Sequence, residues 1–585
     1  MLNPKCLIPF LFLVAGCSAP PSLSTSESNL SDSSVPTSDS SIGTGSSRPA
    51  FTPLYEEVFG DFPTRFEAAR ALAKDSRLLA SAELEAYIIN QAIAIPGYCT
   101  PSNRLTRFFA YPYALNSADL SSFIPVEEIV QASDYMELRA DASSRSALIA
   151  SIVGRGYTVK DDLTINDDGS TAGVGALDYL TSDHIFDIHA TDHVASTNFG
   201  STMNRGLFRF SANGKPIPEI AKSITPCDHG FLIELGEAYW RDYQGTRLRK
   251  IDAADFVSAY DAYVNSTYTP APFLGYSAID SDHIRITTDD AEPWAIFSER
   301  LNFPMATDYM SAIPDYGNSF SSTVYSDSVY SVSTEENGIL LTRFVDDADY
   351  PSRIHLTRTS PNVERFVAGE GDLVFCGVQD LDREDIAPYR IEQAFGGRSF
   401  FFNFSVDDPH YVAAMKNVHF RRAVMLSINV LDMARHLGRV SAKQTPCRLS
   451  DGDYAFASGA YADYAEAVAA LVEDIGTVEE CMAAAKSELG AGFFEEPVTL
   501  PLPAYPDQLE QGAAIKESIE SAFHGEVVVE LNSIPFDPYF QGNATDEPIC
   551  FLSAVRLPLS VIPDPLFAFF TLVDPGSYVL GNLGL

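Results

Sequence analysis

The chain opens on a short apolar run and passes into a long polar stretch. Only then does it settle into the alternation of apolar and polar positions that marks folded structure. Cys6 to Ala15 is almost wholly apolar (Cys6-Leu-Ile-Pro-Phe-Leu-Phe-Leu-Val-Ala15), with Lys5 just before it. The run falls well short of the roughly 18 apolar residues that cross a bilayer as a permanent helix, and a charge followed by a short apolar core is the layout of a secretory signal. Ser18 to Ala50 is dominated by Ser, Thr, Pro, Asp and Gly. Such a stretch cannot bury enough apolar surface to offset its chain entropy, so a flexible tether is predicted there.

From Phe51 onward the pattern changes. Arg65 to Asn90 is rich in Ala, Leu and Glu at helical spacing, and Gln91-Ala-Ile-Ala-Ile-Pro96 reads as a short apolar strand. Asp141 to Ala176 is more polar and is expected to be a linker or a surface excursion. Beyond it, strands and helices alternate. Phe231–Leu235 and Phe400–Phe404 are predicted strands. Asp252–Val264 is a predicted helix with Asp252 as N-cap, and Phe420–Ala434 is another. Thr477–Leu489 is a helix opening on the capping-box pattern Thr477-x-x-Glu480. Strand Val498–Leu502, helix Asp507–Phe523 and strand Glu526–Leu531 follow. Phe551–Ile562 is apolar but broken by Arg556 and Pro558, which suits a buried strand better than a membrane span. The order of elements is α/β, with no internal repeat.

Composition narrows the function classes. The chain has 585 residues, 79 acidic against 39 basic, and a formal net charge of −40. That balance leaves no basic surface to neutralise phosphates, so nucleic acid is not an expected partner. Of the eight cysteines, Cys6 and Cys17 lie in the leader. The remaining Cys99, Cys227, Cys376, Cys447, Cys481 and Cys550 lack the close spacing of a zinc site, and their connectivity is open. A nucleophile elbow, HExxH, a P-loop and GxGxxG are all missing, so no enzyme and no cofactor are expected.

Several segments carry a family resemblance. Leu13-Val-Ala-Gly-Cys17 resembles a bacterial lipobox, which implies cleavage before Cys17 and a lipid anchor on it; the other reading is an ordinary signal peptide with a chance cysteine. Asn204-Arg-Gly-Leu-Phe208 with Asn213-Gly-Lys-Pro-Ile-Pro-Glu-Ile-Ala-Lys222 is similar to an early stretch of the family 5 extracytoplasmic solute-binding proteins, the oligopeptide-binding lipoproteins of ABC importers. Tyr239–Gly245 with Ile251–Val257 resembles the family's next stretch. Phe402-Asn-Phe404 followed by Asn417–Ile428 is the strongest piece, and Pro563-Asp-Pro-Leu-Phe567 resembles the family's "PDP..F". Tyr55 to Pro112, at the front of this chain, is similar to the segment that closes the family's sequence. A circular permutation is therefore expected, with the closing segment moved ahead of the opening one; a scrambled remnant is the rival. Permutation is tolerated when the original termini lie close together at the surface.

The resemblance implies an α/β, bilobal, type II-like periplasmic-binding-protein fold with a hinge between two mixed-sheet lobes. The expected organisation is signal peptide 1–17, tether 18–50, and 51–134 as the closing part of lobe I. Then come linker 135–176, lobe I over 177–395, lobe II over 396–564, and a return to lobe I over 565–585. It implies a monomer that binds a peptide or related small solute by cleft closure, delivers it to an ABC permease, and meets the membrane through its lipid alone. A metal chelate or oligosaccharide is the alternative ligand, and a degenerate homologue serving as a surface interaction or sensor protein is the alternative role. Arg556 interrupts an apolar run and is a candidate for holding a ligand carboxylate. Within Ser560-Val-Ile-Pro-Asp-Pro565, Val561 stands where the family's peptide binders often carry an Asp for a free amine. Ser560 and Val561 are ligand-site candidates, as are His193, Asn198 and Asn204. Asp183, His184, Asp187, His189, Asp192 and His193 form a polar loop near the expected cleft, but no metal site is assigned, because spacing alone supplies neither the full ligand set nor its geometry. Tyr239-Trp240 and Phe400–Phe402 are expected in the core, and Arg421-Arg422 on a solvated helix face.

Overall fold

The computed structural model describes residues 53–96 (73 excepted), short pieces between 98 and 154, and residues 161–166, 186–189, 199–210 (201 excepted), 216–264, 274–291 and 301–357 (347–349 excepted). It also describes 362–375, several residues between 380 and 402, 408–430, 443–444, 461–504 (491 excepted), 509–533, 553–555, and 566, 569, 572 and 573. The fold is mixed α/β with several sheets. No described helix is long and apolar enough to cross a membrane.

The first body is largely helical. Pro53–Phe59 (α1), Phe62–Arg70 (α2) and Lys74–Asn90 (α3) pack with helices Pro409–Lys416, Val418–Ser427, Tyr461–Leu471 and Val478–Leu489. Beside them lie two parallel strands, Val498–Ala504 and Val527–Ser533, joined through helix Leu509–Phe523. The alternation expected for this βαβ unit is present, with Val498, Leu500, Val527 and Val529 all buried. The Thr477 capping box is made: Thr477 Oγ1 accepts from Glu480 N at 3.2 Å and Glu480 returns the bond at 2.9 Å.

A second body is a four-stranded antiparallel sheet, ordered 274–280, 283–288, 230–235, 221–227, with helix Ala253–Val264 on one face. Asp252 caps that helix, accepting from Ala254 N at 2.9 Å. The third is a six-stranded sheet ordered 330–335, 338–343, 353–357, 162–166, 373–375, 104–106, parallel on both sides of 162–166 and antiparallel elsewhere. A short sheet pairing Trp240 with Ser326 ties the second body to the third.

Four features differ from the sequence expectations. The helical stretch Arg65–Asn90 is two helices, because the Arg70 carbonyl that would continue the ladder instead accepts from Arg77 Nη1 (2.9 Å) and Ala291 N (3.1 Å). Residues 162–166, within the expected linker, form an interior strand with Leu163, Ile165 and Asn166 buried; the acidic residues around it resembled a surface excursion. The helix expected over Phe420–Ala434 runs Val418–Ser427 and stops at an extended Ile428. The front segment, assigned to lobe I, is divided: α1–α3 pack on 408–489, whereas 104–106 joins the six-stranded sheet.

Candidate functional site

The bodies are linked by a two-stranded antiparallel ribbon. Ala94 faces Phe401, Pro96 faces Ser399, Thr100 faces Phe395 and Pro101 faces Ala394, two paired stretches that share one register. Strand 553–555 pairs with 399–401, and 443–444 pairs with 98–99. At one end Ile95 and Phe402 are buried in the helical body. At the other end the chain enters the six-stranded sheet at 104–106. A narrow ribbon between bodies bends more readily than a packed face, because few buried contacts resist the bend.

The front segment packs against Leu566, Phe569 and Leu572 near the other end of the chain. Tyr55 Oη donates to Leu572 O at 2.6 Å, and Phe62 packs edge-on against Phe569, centroids 6.4 Å apart. Leu566, Phe569 and Leu572 share one apolar cluster with α1–α3. The Arg421-Arg422 pair, expected on a solvated face, instead holds this junction together. Arg421 is buried, and donates to Gln91 O through Nε (3.2 Å) and Nη2 (2.8 Å) and to Met415 O through Nη1. Arg422 Nε donates to Asn90 O at 2.8 Å and its Nη2 meets Glu473 at 2.9 Å. The carbonyls at a helix C-terminus lack intrahelical donors and carry partial negative charge, so two guanidinium groups at the end of α3 satisfy both deficits. Burial, reinforced by neighbouring Arg422, pushes the Arg421 pKa down to about 10, still charged at neutral pH.

Of the sequence-predicted site residues, Asn204 is described and Cys17, His193, Asn198, Arg556, Ser560 and Val561 lie outside the described residues. Asn204 is buried. Its Nδ2 donates to Gly200 O at 2.8 Å, and its Oδ1 accepts from Ser326 N at 2.7 Å and Ser326 Oγ at 3.2 Å. Both ends of the amide are thus engaged within the protein, and Asn204 fixes the backbone that follows it. From the polar loop, Asp187 is buried and accepts from His189 N at 3.0 Å, while His189 Nε2 donates to Pro304 O at 2.8 Å.

Next to Asn204 lies a charge cluster that sequence reasoning missed. Arg205 Nη1 meets Asp327 at 3.4 Å, stacks over the Tyr350 ring at 5.1 Å, and its Nε lies 4.0 Å from Glu219. Tyr350 Oη donates to Glu219. Arg241 reaches Asp327 from the other side at 3.5 Å. Burial pushes the Asp327 carboxyl up, with Arg205 and Arg241 opposing it. Burial also opposes the Arg205 charge, yet Tyr350, Glu219 and Asp327 together drive its pKa up. Two guanidiniums against two carboxylates make a balanced knot that holds the Asn204–Leu207 turn against strands on both sides. Arg205 lay inside a quoted motif, but no spacing in sequence joins it to residues 219, 327 and 350. Gly206 has a visible cause: a Cβ there would lie 2.4 Å from Asn302 Nδ2, and Asn302 brackets Phe208 with bonds of 2.7 and 2.9 Å. Trp240 is buried as expected and donates to Asp255 at 3.1 Å, joining the two halves of its motif; Phe402 is also buried. Among the described residues no group of His, Cys, Asp and Glu is placed to hold a metal.

No protein-family model matches this chain, and no curated protein matches it. Among solved structures it is similar to Haemophilus influenzae OppA in complex with the peptide RPPGFSPFR (16% identity, 66% of this chain and 78% of that one, TM-score 0.41). It is also similar to the Escherichia coli murein tripeptide binding protein MppA (14%, 73% and 84%, TM-score 0.44) and to the binding protein AgaA of A. tumefaciens in complex with agropinic acid (16%, 70% and 79%, TM-score 0.43). Each named ligand belongs to that protein.

Proposed function

We propose that this chain is an extracytoplasmic solute-binding protein of a peptide-type ABC importer. On this reading it is anchored through a lipid on Cys17, acts as a monomer, and delivers a peptide or related small solute to the permease by closing two bodies over it. The observation that carries the reading is the ribbon of 94–101 with 394–401, which joins the helical body to the six-stranded sheet in one register. A ligand that touches both bodies favours whichever arrangement lets it do so, and the ribbon is the compliant element that permits the change. The circular permutation belongs to the same reading, supported by the packing of α1 and α2 on Leu566, Phe569 and Leu572. On this account Arg556 and Ser560 contact the ligand, with His193 and Asn198 at the rim.

A non-peptide ligand is the second reading. It is favoured by Val561, an apolar residue where a carboxylate would pair with a peptide amine. A thermal-shift screen of the purified protein against tryptic casein peptides, then metal chelates, then oligosaccharides, separates the two. A ligand at 100 times its Kd stabilises the native state by about 2.7 kcal/mol. A shift with casein peptides supports the first reading, a shift only with chelates or sugars supports the second, and a cooperative melt unmoved by every pool refutes both.

A further inference from the structure

The front helices α1–α3 take their partners from residues that follow them by hundreds of positions. Tyr55 donates to Leu572 O, 517 positions on. Glu85 accepts from Tyr464 Oη at 2.6 Å, 379 positions on, and Asn90 Nδ2 donates to Leu471 O at 3.0 Å, 381 on. Gln91, just past α3, accepts from Arg421, 330 on. Lys416 meets Glu57 at 2.6 Å. Asp290 reaches the elbow between α2 and α3, where Arg77 Nη1 donates to it at 2.7 Å across 213 positions. Phe59, Phe62, Phe66 and Ile88 are buried in one apolar cluster with the four-stranded sheet, the helices of 409–489, and Leu566, Phe569 and Leu572. The other modules are built locally. Strands 221–227 and 230–235 form one hairpin, 330–335 and 338–343 another, and 498–504 pairs with 527–533 across helix 509–523.

We propose that α1–α3 form a strap that closes last, so that the shared core stays open until residues 566–572 are in place. Three features carry this. α1 and α2 have 7 and 9 residues, short of the roughly 12–15 below which an isolated helix is marginal in water. The helices do touch one another, Tyr87 Oη donating to Phe59 O at 3.0 Å, but 53–90 is shorter than the roughly 40 residues below which a chain seldom folds alone. Docking also closes loops of 330 to 517 residues, and that loop entropy must be met before the contacts return anything. The hairpins close loops of a few residues and do not wait. A polypeptide is made front first, so the strap emerges before each of those partners. For a chain led by a secretory signal pattern the strap is a built-in delay, because the front cannot complete a fold before the rest has been made.

The test is pulse-labelled hydrogen exchange during refolding of the full chain from urea, without ligand. Unfolding is kept brief against the roughly 10–100 s of prolyl isomerisation, so that prolyl bonds keep their native isomers and add no slow phase. Protection at 55–69 and 78–90 is expected at least about tenfold later than in strands 230–235 and 338–343, and no earlier than at 411–425. Phe569→Ala removes a ring packed edge-on against Phe62 with centroids 6.4 Å apart. It should leave the hairpin phase unchanged and lower the final protection at 55–69 at least about tenfold. Front helices protected together with the hairpins, or before them, would overturn the strap. So would a Phe569→Ala chain whose hairpin phase slows with the helices, or whose front helices keep their full protection. If that variant fails to fold, the order of protection in the original chain still decides.

Discussion

Replacing Arg421 by Met tests whether one guanidinium ties the front segment to the helix 418–427. Arg421 makes three hydrogen bonds to two carbonyls, Gln91 O and Met415 O, and is 2% exposed. Met fills a similar apolar volume, so the change isolates the polar head. Hydrogen bonds to a charged group are worth about 1.5–3 kcal/mol each net of hydration, and orphaning a buried carbonyl costs about 1–3 kcal/mol. Two orphaned carbonyls set the upper end near 6 kcal/mol, and the removed burden of a buried charge offsets part of it. A loss of about 2–4 kcal/mol is expected. In urea, with a slope of about 3 kcal/mol per M, the transition of the helical body should fall by about 1 M. Arg421→Lys should recover less than half of the loss, because a compact ammonium lacks the planar fork that reaches Gln91 O and Met415 O at once. Circular dichroism at 222 nm follows the transition, and hydrogen exchange at residues 88–93 locates it. A midpoint for Arg421→Met within about 0.5 kcal/mol of the original would refute the argument, since that is the scatter of an ordinary surface substitution.

Gly206→Ala should cost about 1–3 kcal/mol by pushing Asn302 off Phe208, read as a lower Tm; an unchanged Tm would mean the turn relaxes freely. Trp240→Phe should cost about 1 kcal/mol through the lost bond to Asp255, and in an Asp255→Asn background that increment should shrink. Asp308 is held below the ordinary carboxylate value by its bonds from Arg249. Its contribution is therefore present above pH 3.8, the unfolded value, and disappears as pH falls through the lower folded value. The Tm gap between the protein and Asp308→Asn should close on acidification in the same way, and a gap that widens there would contradict the assignment. Cys17→Ala should abolish palmitate labelling in a bacterial host, and labelling that persists would remove the anchor from the proposed function.

Much of the secondary structure was legible in the pattern of residues. The helix opening at Thr477 is written in its own first turn, and the strands at 231, 498 and 527 in their alternation. These are local effects, decided by capping and by which face of an element is apolar. The interior strand at 162–166 was hidden because acidic neighbours resemble a linker, and burial by partners at 353–357 and 373–375 overrides that local cue. The candidate site was less legible. Asn204 was chosen because it follows the polar loop near the expected cleft, but its amide is consumed by Gly200 and by Ser326, which lies 122 positions later. Arg421 was read as solvated because the other face of its helix is apolar, and its partner Gln91 lies 330 positions earlier.

The residues in their order were enough to set the α/β class, the net charge of −40 and the likeness of separate segments to a family of binding proteins. Those properties depend on composition and on neighbours a few positions apart. Tertiary structure alone decided that α1–α3 lie on the helix 418–427, that 94–101 and 394–401 share one register, and that Asp290 enters the elbow of α2 and α3. These contacts unite residues 330, 307 and 213 positions apart, as Gln91 with Arg421, Ala94 with Phe401 and Arg77 with Asp290. The free energy of such contacts comes from desolvation and geometry in the assembled core, which no local window of sequence contains.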